Sequence, residues 1–389
     1  MLLMIPFNYY GVKAFGLSTA SFGAVKLAFY IAVAGALAAA FFDSKNLFAY
    51  HGFLPFGFTG VFLAIPFAMF AFGGIRVLPD YAEESKDFRK LPLAIVLVVI
   101  GQLLIYLLLD FVFVTGINWS KLGMAAGDWA SVSSIPGNPF ITMAHDYNAE
   151  LLFILTVIVG VVGGPFVVGY IYLGGGTRVL FAQGRTRIMP NLVKYIHERY
   201  SIPYWALLIT ALVGAVLAFL AAPVPSIYGL IEDAVVAGYL GFSVNPVAMI
   251  VSRRQGVTKY RIPGGSIIAP IAFASAALII FWSGWVTVYY AVILLTAAAA
   301  IFGIILPLVR GGTAGRDLRH VLNSLWYIAY IAFLTVMTYI GSDGALNLIS
   351  FNYATLITVV VSLAVFYPWG VFSGLKQKLS DVDYMPETQ

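Results

Sequence analysis

The sequence predicts an all-α polytopic membrane protein, and three observations carry that expectation. Hydrophobic residues make up 61% of its 389 residues and charged ones only 10%, whereas soluble domains hold about 45–50% apolar and about 25% charged residues. The apolar residues gather into ten windows, each long enough to cross about 30 Å of hydrocarbon as roughly 20 residues of helix. Between the windows, lysine and arginine crowd alternate connections, as cytoplasmic loops do.

The windows run near 17–42, 56–79, 91–117, 150–182, 203–222, 226–252, 266–283, 286–308, 321–341 and 351–374. Ahead of them, MLLMIPFNYYG has neither a charged start nor a small-residue cleavage site of the signal-peptide kind. It reads as the end of an incomplete span. With the first full span running from inside to outside, 17 basic residues fall on inside segments. These are Lys13; Lys86, Arg89 and Lys90; Arg185, Arg187, Lys194 and Arg199; Arg253, Arg254, Lys259 and Arg261; Arg310, Arg316 and Arg319; and Lys376 and Lys378. Only Lys45 and Lys121 fall outside. Both termini are therefore expected in the cytoplasm of a multi-pass cell-membrane protein. Segment 118–150, the longest outside, carries Trp119, Trp129 and several Gly, Ser and Pro residues, and reads as an ordered cap with interfacial tryptophans. The polar tail 379–389 is expected to be disordered.

Several function classes are disfavoured at once. The chain has no cysteine, so disulfides and thiolate metal sites are excluded, and His51, His145, His197 and His320 lie in or beside loops. With no nucleophile and base in the spans, the chain does not read as an enzyme, and no cofactor is expected. The net charge of +5 is accounted for by inside loops and does not call for a nucleic-acid partner. Gly174-Gly175-Gly176 precedes Thr177-Arg178 at an expected helix end, without the Gly-Lys-Ser/Thr of a phosphate loop.

The second window breaks in its own middle. Ala71-Phe72-Gly73-Gly74, with Pro66 upstream, interrupts a helix at membrane depth, where each unsatisfied backbone group costs several kcal/mol. Such a break survives where it lines a cavity, and the freed carbonyls and amides bind solute or ion. Phe72 adds an aromatic wall suited to an amphipathic small molecule. Lys26 stands about nine residues into the first full window, roughly 13 Å deep at 1.5 Å per residue. A charge there costs on the order of 2.5–3.5 kcal/mol and marks an ion or proton path. Glu232 and Asp233 lie about two turns inside their span, placed to close a gate by pairing with a base; Arg76, just past the break, is a further gate candidate. Asp110 reads as solvated near the outer interface. The run Asp80, Glu83, Glu84, Lys86, Asp87, Arg89 and Lys90 reads as a mixed-charge inside loop.

Three blocks together resemble permeases of the amino acid, polyamine and organocation (APC) superfamily: Gly11-Val12-Lys13 followed by Lys26; FAMFAFGGIRVLPDYAEESKDFRKLPLAI; and GTRVLFAQGRTRIMPNLVKYIHERYSIPYWALLITAL. RRQGVTKYRIPGG is similar to the loop after the family's tenth helix. The resemblance implies the inverted-repeat fold first described for the bacterial leucine transporter. It places 1–42 as a remnant of the first repeat, 56–252 as the second, 266–374 as four additional helices and 379–389 as a cytoplasmic tail. It also implies that the first three family helices are absent, so that the recorded start lies downstream of the true one or the chain is a fragment. By resemblance the function is secondary active transport of amino acids or related small organic amines, proton-coupled. Ala71, Phe72, Gly73 and Gly74 would meet the substrate, and Lys26 would take the place of a sodium ion. Many family members have an acidic residue where this chain has Arg76, which favours a carboxylate-bearing solute here. The partners implied are an amino-acid-like small molecule, protons and the lipid bilayer. Two other readings compete: a chain inactive without the missing helices, and a non-transporting membrane scaffold or receptor.

Overall fold

The computed structural model describes residues 2–10, 12–48, 54–85, 87–135, 139–146, 148–185, 189–222, 227–256, 261–300, 323–342 and 344–376. Lys86, Arg187, Lys259, Arg310, Arg316, Arg319, Lys378 and the tail 379–389 lie outside the described residues, as do Gly11 and the end of the 286–308 window.

Helix dominates because residues this apolar have no other way to satisfy their backbone in hydrocarbon. The helices are α1 (Ile5–Tyr9), α2 (Val12–Phe41), α3 (Lys45–Phe48), α4 (Gly57–Ala71), α5 (Leu91–Gly116), α6 (Pro139–Asp146), α7 (Glu150–Thr156) and α8 (Gly164–Arg185). They continue as α9 (Tyr204–Ala221), α10 (Ile227–Phe242), α11 (Val244–Arg254), α12 (Gly265–Trp282), α13 (Trp285–Ala300), α14 (Leu325–Ile340), α15 (Phe351–Val361) and α16 (Tyr367–Leu375). Among the described residues, 7 stretches are long and apolar enough to cross a membrane: Phe15–Phe41, Gly57–Glu84, Leu91–Gly116, Glu150–Arg185, Ile231–Arg254, Gly265–Trp282 and Phe351–Leu375. Three shorter apolar helices, Tyr204–Leu220, Trp285–Ala297 and Leu325–Ile340, fall in the three remaining windows. The protein is an all-α polytopic membrane protein.

By its contacts the chain divides into two units. One comprises Met1–Gly57 and Gly74–Pro223, the other Phe58–Gly73 and Val224–Gln389. The dividing point thus falls inside the glycine pair of the second window.

In the first unit α2 packs on α5 through Val33, Ala34, Leu37 and Val112, where alanine lets the two backbones approach. Trp119 of the 118–150 segment is buried within the protein. Its indole N–H donates to Asn46 Oδ1 at 3.0 Å, and its ring meets Trp129 edge-on at 4.7 Å. Asn46 in turn donates to the carbonyl of Ile117 at 2.9 Å. A satisfied indole can be buried where an unpaired one would stay at the interface.

The second unit is built around α12, apolar on all sides and half buried. Ala269, Ala274, Ala276 and Ala277 admit neighbours closely, while Phe273 and Ile280 fill the space between them. The Tyr330 ring of α14 packs against Phe273 at 4.9 Å, tilted by 35°, and Gly370 of α16 faces the Trp326 ring. The 226–252 window is a single stretch that turns at Ser243, whose hydroxyl donates to the carbonyl of Leu240 at 2.8 Å.

Candidate functional site

At the break, α4 stops at Ala71 and the chain continues as 3₁₀ helix, first Phe72–Val77 and then Pro79–Glu84. The backbone is therefore tightened rather than left as open coil. A 3₁₀ turn uses i→i+3 bonds of poorer geometry, so the groups freed at Gly73-Gly74 are fewer than a fully unwound segment would offer. Gly73 is buried, Ala71 and Gly74 exposed, and Phe72 and Arg76 half-buried. A Cβ on Gly74 would rest 3.7 Å from the Gln102 side-chain nitrogen of α5. On the other side of the break, Tyr239 of α10 donates its hydroxyl to Met69 Sδ at 3.2 Å, and Phe62 stacks on Trp282 at 5.0 Å.

Lys26 stands in the middle of α2, its ammonium 5.3 Å from the centre of the Tyr30 ring one turn on. Both side chains reach the same point on the Glu150–Arg185 span. A Cβ on Gly164 would lie 3.2 Å from Tyr30 Oη and 3.7 Å from Lys26 Cε. Glycine there leaves room for the pair, and a Cβ would press the Tyr30 hydroxyl aside by a few tenths of an ångström. Gly164 closes a π-helical stretch, Val157–Gly163, inserted between α7 and α8. Such stretches loosen the i→i−4 ladder and recur at functional sites. Among the described residues no carboxylate lies within 4.0 Å of the Lys26 ammonium.

A second cluster, which the sequence did not reveal, forms at the far end of α8. Arg178 donates through Nε and Nη2 to Glu84, at 2.5 and 2.8 Å, and through Nη1 to the Gly174 carbonyl at 2.9 Å. The guanidinium lies 4.0 Å from the Tyr81 ring centre and 5.5 Å from that of Phe15. Arg185, two turns on, pairs with Glu83 at 3.1 Å. The acids of the mixed-charge loop thus hold the basic face of α8. Gly174-Gly175-Gly176, expected at a helix end, lies inside α8 instead. A Cβ on Gly174 would strike Tyr81 Oη and Asn8 Oδ1, and one on Gly175 would come 2.9 Å from Val77 and 3.0 Å from Asp80 Oδ2. Close packing of the 3₁₀ segments outweighs the roughly 1 kcal/mol that each glycine costs a helix.

A family model described as "Amino acid permease" matches residues 1–307. The chain belongs to the amino acid permease family. The permease is 26% identical over 385 residues to the glutamate/serine transporter AimA of Bacillus subtilis strain 168, covering 96% of this chain and 69% of that protein. It is 27% identical over 394 residues to the aspartate-proton symporter of the same organism, covering 98% and 73%. To that organism's branched-chain amino acid permease BcaP it is 24% identical over 237 residues, covering 61% and 48%. No solved structure matches the permease.

The sequence-predicted residues of the permease divide between the two units. Lys26, Gly74 and Arg76 belong to the first unit, and Ala71, Phe72, Gly73, Glu232 and Asp233 to the second. Glu232 accepts a hydrogen bond from the Thr287 hydroxyl at 3.3 Å; among the described residues no base lies within 4.0 Å of it. Asp110 is exposed near the C-terminal end of α5. Sequence reasoning missed Gln102 and Tyr106, which with Asp110 form an i, i+4, i+8 row on the strongly apolar Leu91–Gly116 span, with Gln102 within hydrogen-bonding reach of Tyr106. That spacing was the available signal.

Proposed function

We propose that this permease is a secondary active transporter that carries amino acids across the cell membrane together with protons. Two relatives are named for glutamate, serine and aspartate, and Arg76 beside the break favours a solute bearing a carboxylate, so small and acidic amino acids are the substrates proposed. Ala71, Phe72, Gly73 and Gly74 would contact the solute, Lys26 would carry the coupling proton, and Arg76, Glu232 and Asp233 would serve the gates. Both termini would face the cytoplasm, with 1–42, 56–252 and 266–374 as first-repeat remnant, second repeat and additional helices of an inverted-repeat fold.

The observation that carries the coupling assignment is the setting of Lys26. It is a lysine in the middle of its span, against a π-helical stretch, with no carboxylate among the described residues within 4.0 Å to neutralise it. Intramembrane ionisable residues in such surroundings mark ion and proton paths. The test is uptake of labelled aspartate, glutamate and serine into proteoliposomes under an imposed pH gradient. In Lys26→Gln, uptake is expected to lose its dependence on the gradient while substrate binding persists. A sodium requirement in the wild type, with gradient dependence surviving in Lys26→Gln, would overturn the assignment.

A further inference from the structure

Beside Tyr30, one turn from Lys26, lies a cavity of about 150 Å³, lined by Tyr30, Thr156 and Gly160 together with Phe29, Val33, Leu109 and, from the 118–150 segment, Phe140. Lined by hydrocarbon alone, a space of this size stays dry. Here the wall is not all hydrocarbon. Thr156 is only 6% exposed, and among the described residues its hydroxyl has no hydrogen-bond partner. Burying a hydroxyl unpaired costs about 1–3 kcal/mol, which a water in the cavity would offset. Thr156 also immediately precedes the π-helical stretch, and Gly160 lies within it. Glycine at 160 leaves that backbone bare towards the cavity. At about 30 Å³ of liquid volume per molecule, the space takes a short chain of roughly five waters.

Resting on the proton-coupled reading above, we propose that this cavity is the hydrated route by which Lys26 exchanges its proton with the aqueous side bearing the 118–150 segment. The proton passes from a hydronium in that water to a cavity water, and from the last water to the neutral Lys26 amine, forming one N–H bond as one O–H bond breaks. Tyr30 bridges the two ends, because its hydroxyl reaches Gly164 beside Lys26 while the residue also lines the cavity. Tyr30 of α2 lines this path with Tyr106 of α5 near it, and α6, which supplies Phe140, carries His145 and Asp146 at its C-terminal end. Asp110 is one turn further out on α5, Arg178 and Arg185 are at the distant end of α8, and neither the π-helical stretch nor α7 beyond Glu150 holds a titratable residue.

The absence of native cysteine makes the test direct. Thr156→Cys and Gly160→Cys in the full chain, reconstituted in vesicles, are treated with a small methanethiosulfonate reagent from either side. Val162→Cys, at a position 63% exposed on the apolar surface, serves as the lipid-facing control. The cavity cysteines are expected to react at least tenfold faster than the control, and faster from the side of the 118–150 segment. In parallel, Thr156→Val, which keeps the shape and removes the hydroxyl, is expected to slow gradient-driven uptake at least fivefold while leaving substrate counterflow intact. Cysteines no faster than the control, or faster from the opposite side, would overturn the route, as would Thr156→Val running at the wild-type rate. Wild-type uptake indifferent to a pH gradient would instead sink the coupling reading beneath it, which separates the two failures.

Discussion

Replacing Glu84 by Gln removes the charge that holds Arg178 and keeps the shape. Both hydrogen bonds are charge-assisted; Gln keeps one acceptor oxygen and turns the other into an amide donor, so one bond is lost and the other loses its charge, while the guanidinium and carboxylate are only 18% and 27% exposed. A hydrogen bond to a charged group is worth about 1.5–3 kcal/mol, and breaking a fully buried pair costs about 3–5 kcal/mol. Partial exposure lowers that figure, and Arg178 keeps Tyr81, Phe15 and the Gly174 carbonyl, so a loss of about 2–3 kcal/mol is expected. The thermal unfolding midpoint of purified protein in detergent should fall by about 2–4 °C. Arg178→Gln should cost a similar amount, and the double variant little more than either, giving a coupling of about 2 kcal/mol in a double-mutant cycle. Glu83→Gln is the internal control, since Glu83 and Arg185 are 80% and 48% exposed. An exposed pair contributes about 0–1 kcal/mol. Additive effects of Glu84→Gln and Arg178→Gln, or an equal loss in Glu83→Gln, would refute the reasoning.

Loop charge predicts that, in intact cells, an impermeant thiol reagent labels Ser120→Cys and spares Ser85→Cys; the reverse pattern would invert the topology. At the break, Gly73→Val should abolish substrate binding without preventing membrane insertion. Gly74→Ala should be tolerated, since its nearest neighbour would stand at 3.7 Å; equilibrium binding of labelled substrate distinguishes the two, and unchanged affinity in Gly73→Val removes the site. In the second unit a Cβ on Gly374 would come 2.7 Å from Val251 Cγ2, so Gly374→Val should lower thermal stability by about 1–3 kcal/mol through overpacking between α11 and α16. A wild-type melting temperature would show that this contact yields.

The helices were legible because hydropathy along the chain is a one-dimensional signal and each window turned out to hold one. Lys26 was legible for the same reason, since its depth can be counted from the start of its span. The partners of Arg178 were not, because Glu84 is 94 residues away and nothing local couples them. Nor was the π-helical stretch: VIVGVVG is equally apolar in an α- or a π-turn, and the extra residue shows only in the backbone. The glycine triplet misled because glycine's low helix propensity argues for an end, whereas Tyr81, Asn8 and Asp80 crowd that face too closely for any Cβ. The pairing of Trp119 with Asn46 was hidden likewise, since 73 residues separate them.

The π-helical stretch also sets how this protein tolerates change in length. A residue added to or removed from an α-helix turns everything beyond it by about 100° and shifts it by about 1.5 Å. Loss of one residue between Val157 and Gly163 would let the span close into regular α-helix, and its overall length would hardly alter. Its two ends would stay nearly in phase, because the widened turns already take up the extra residue. Thr156 would still face the cavity, and Gly164 would still meet Lys26 and Tyr30. The same loss between Gly164 and Gly174, where the backbone is regular α-helix, would instead turn the seat at Gly174-Gly175-Gly176 away from Tyr81. The bilayer would scarcely register either shortening, yet the π-helical stretch absorbs it and the regular helix reads it as a rotation.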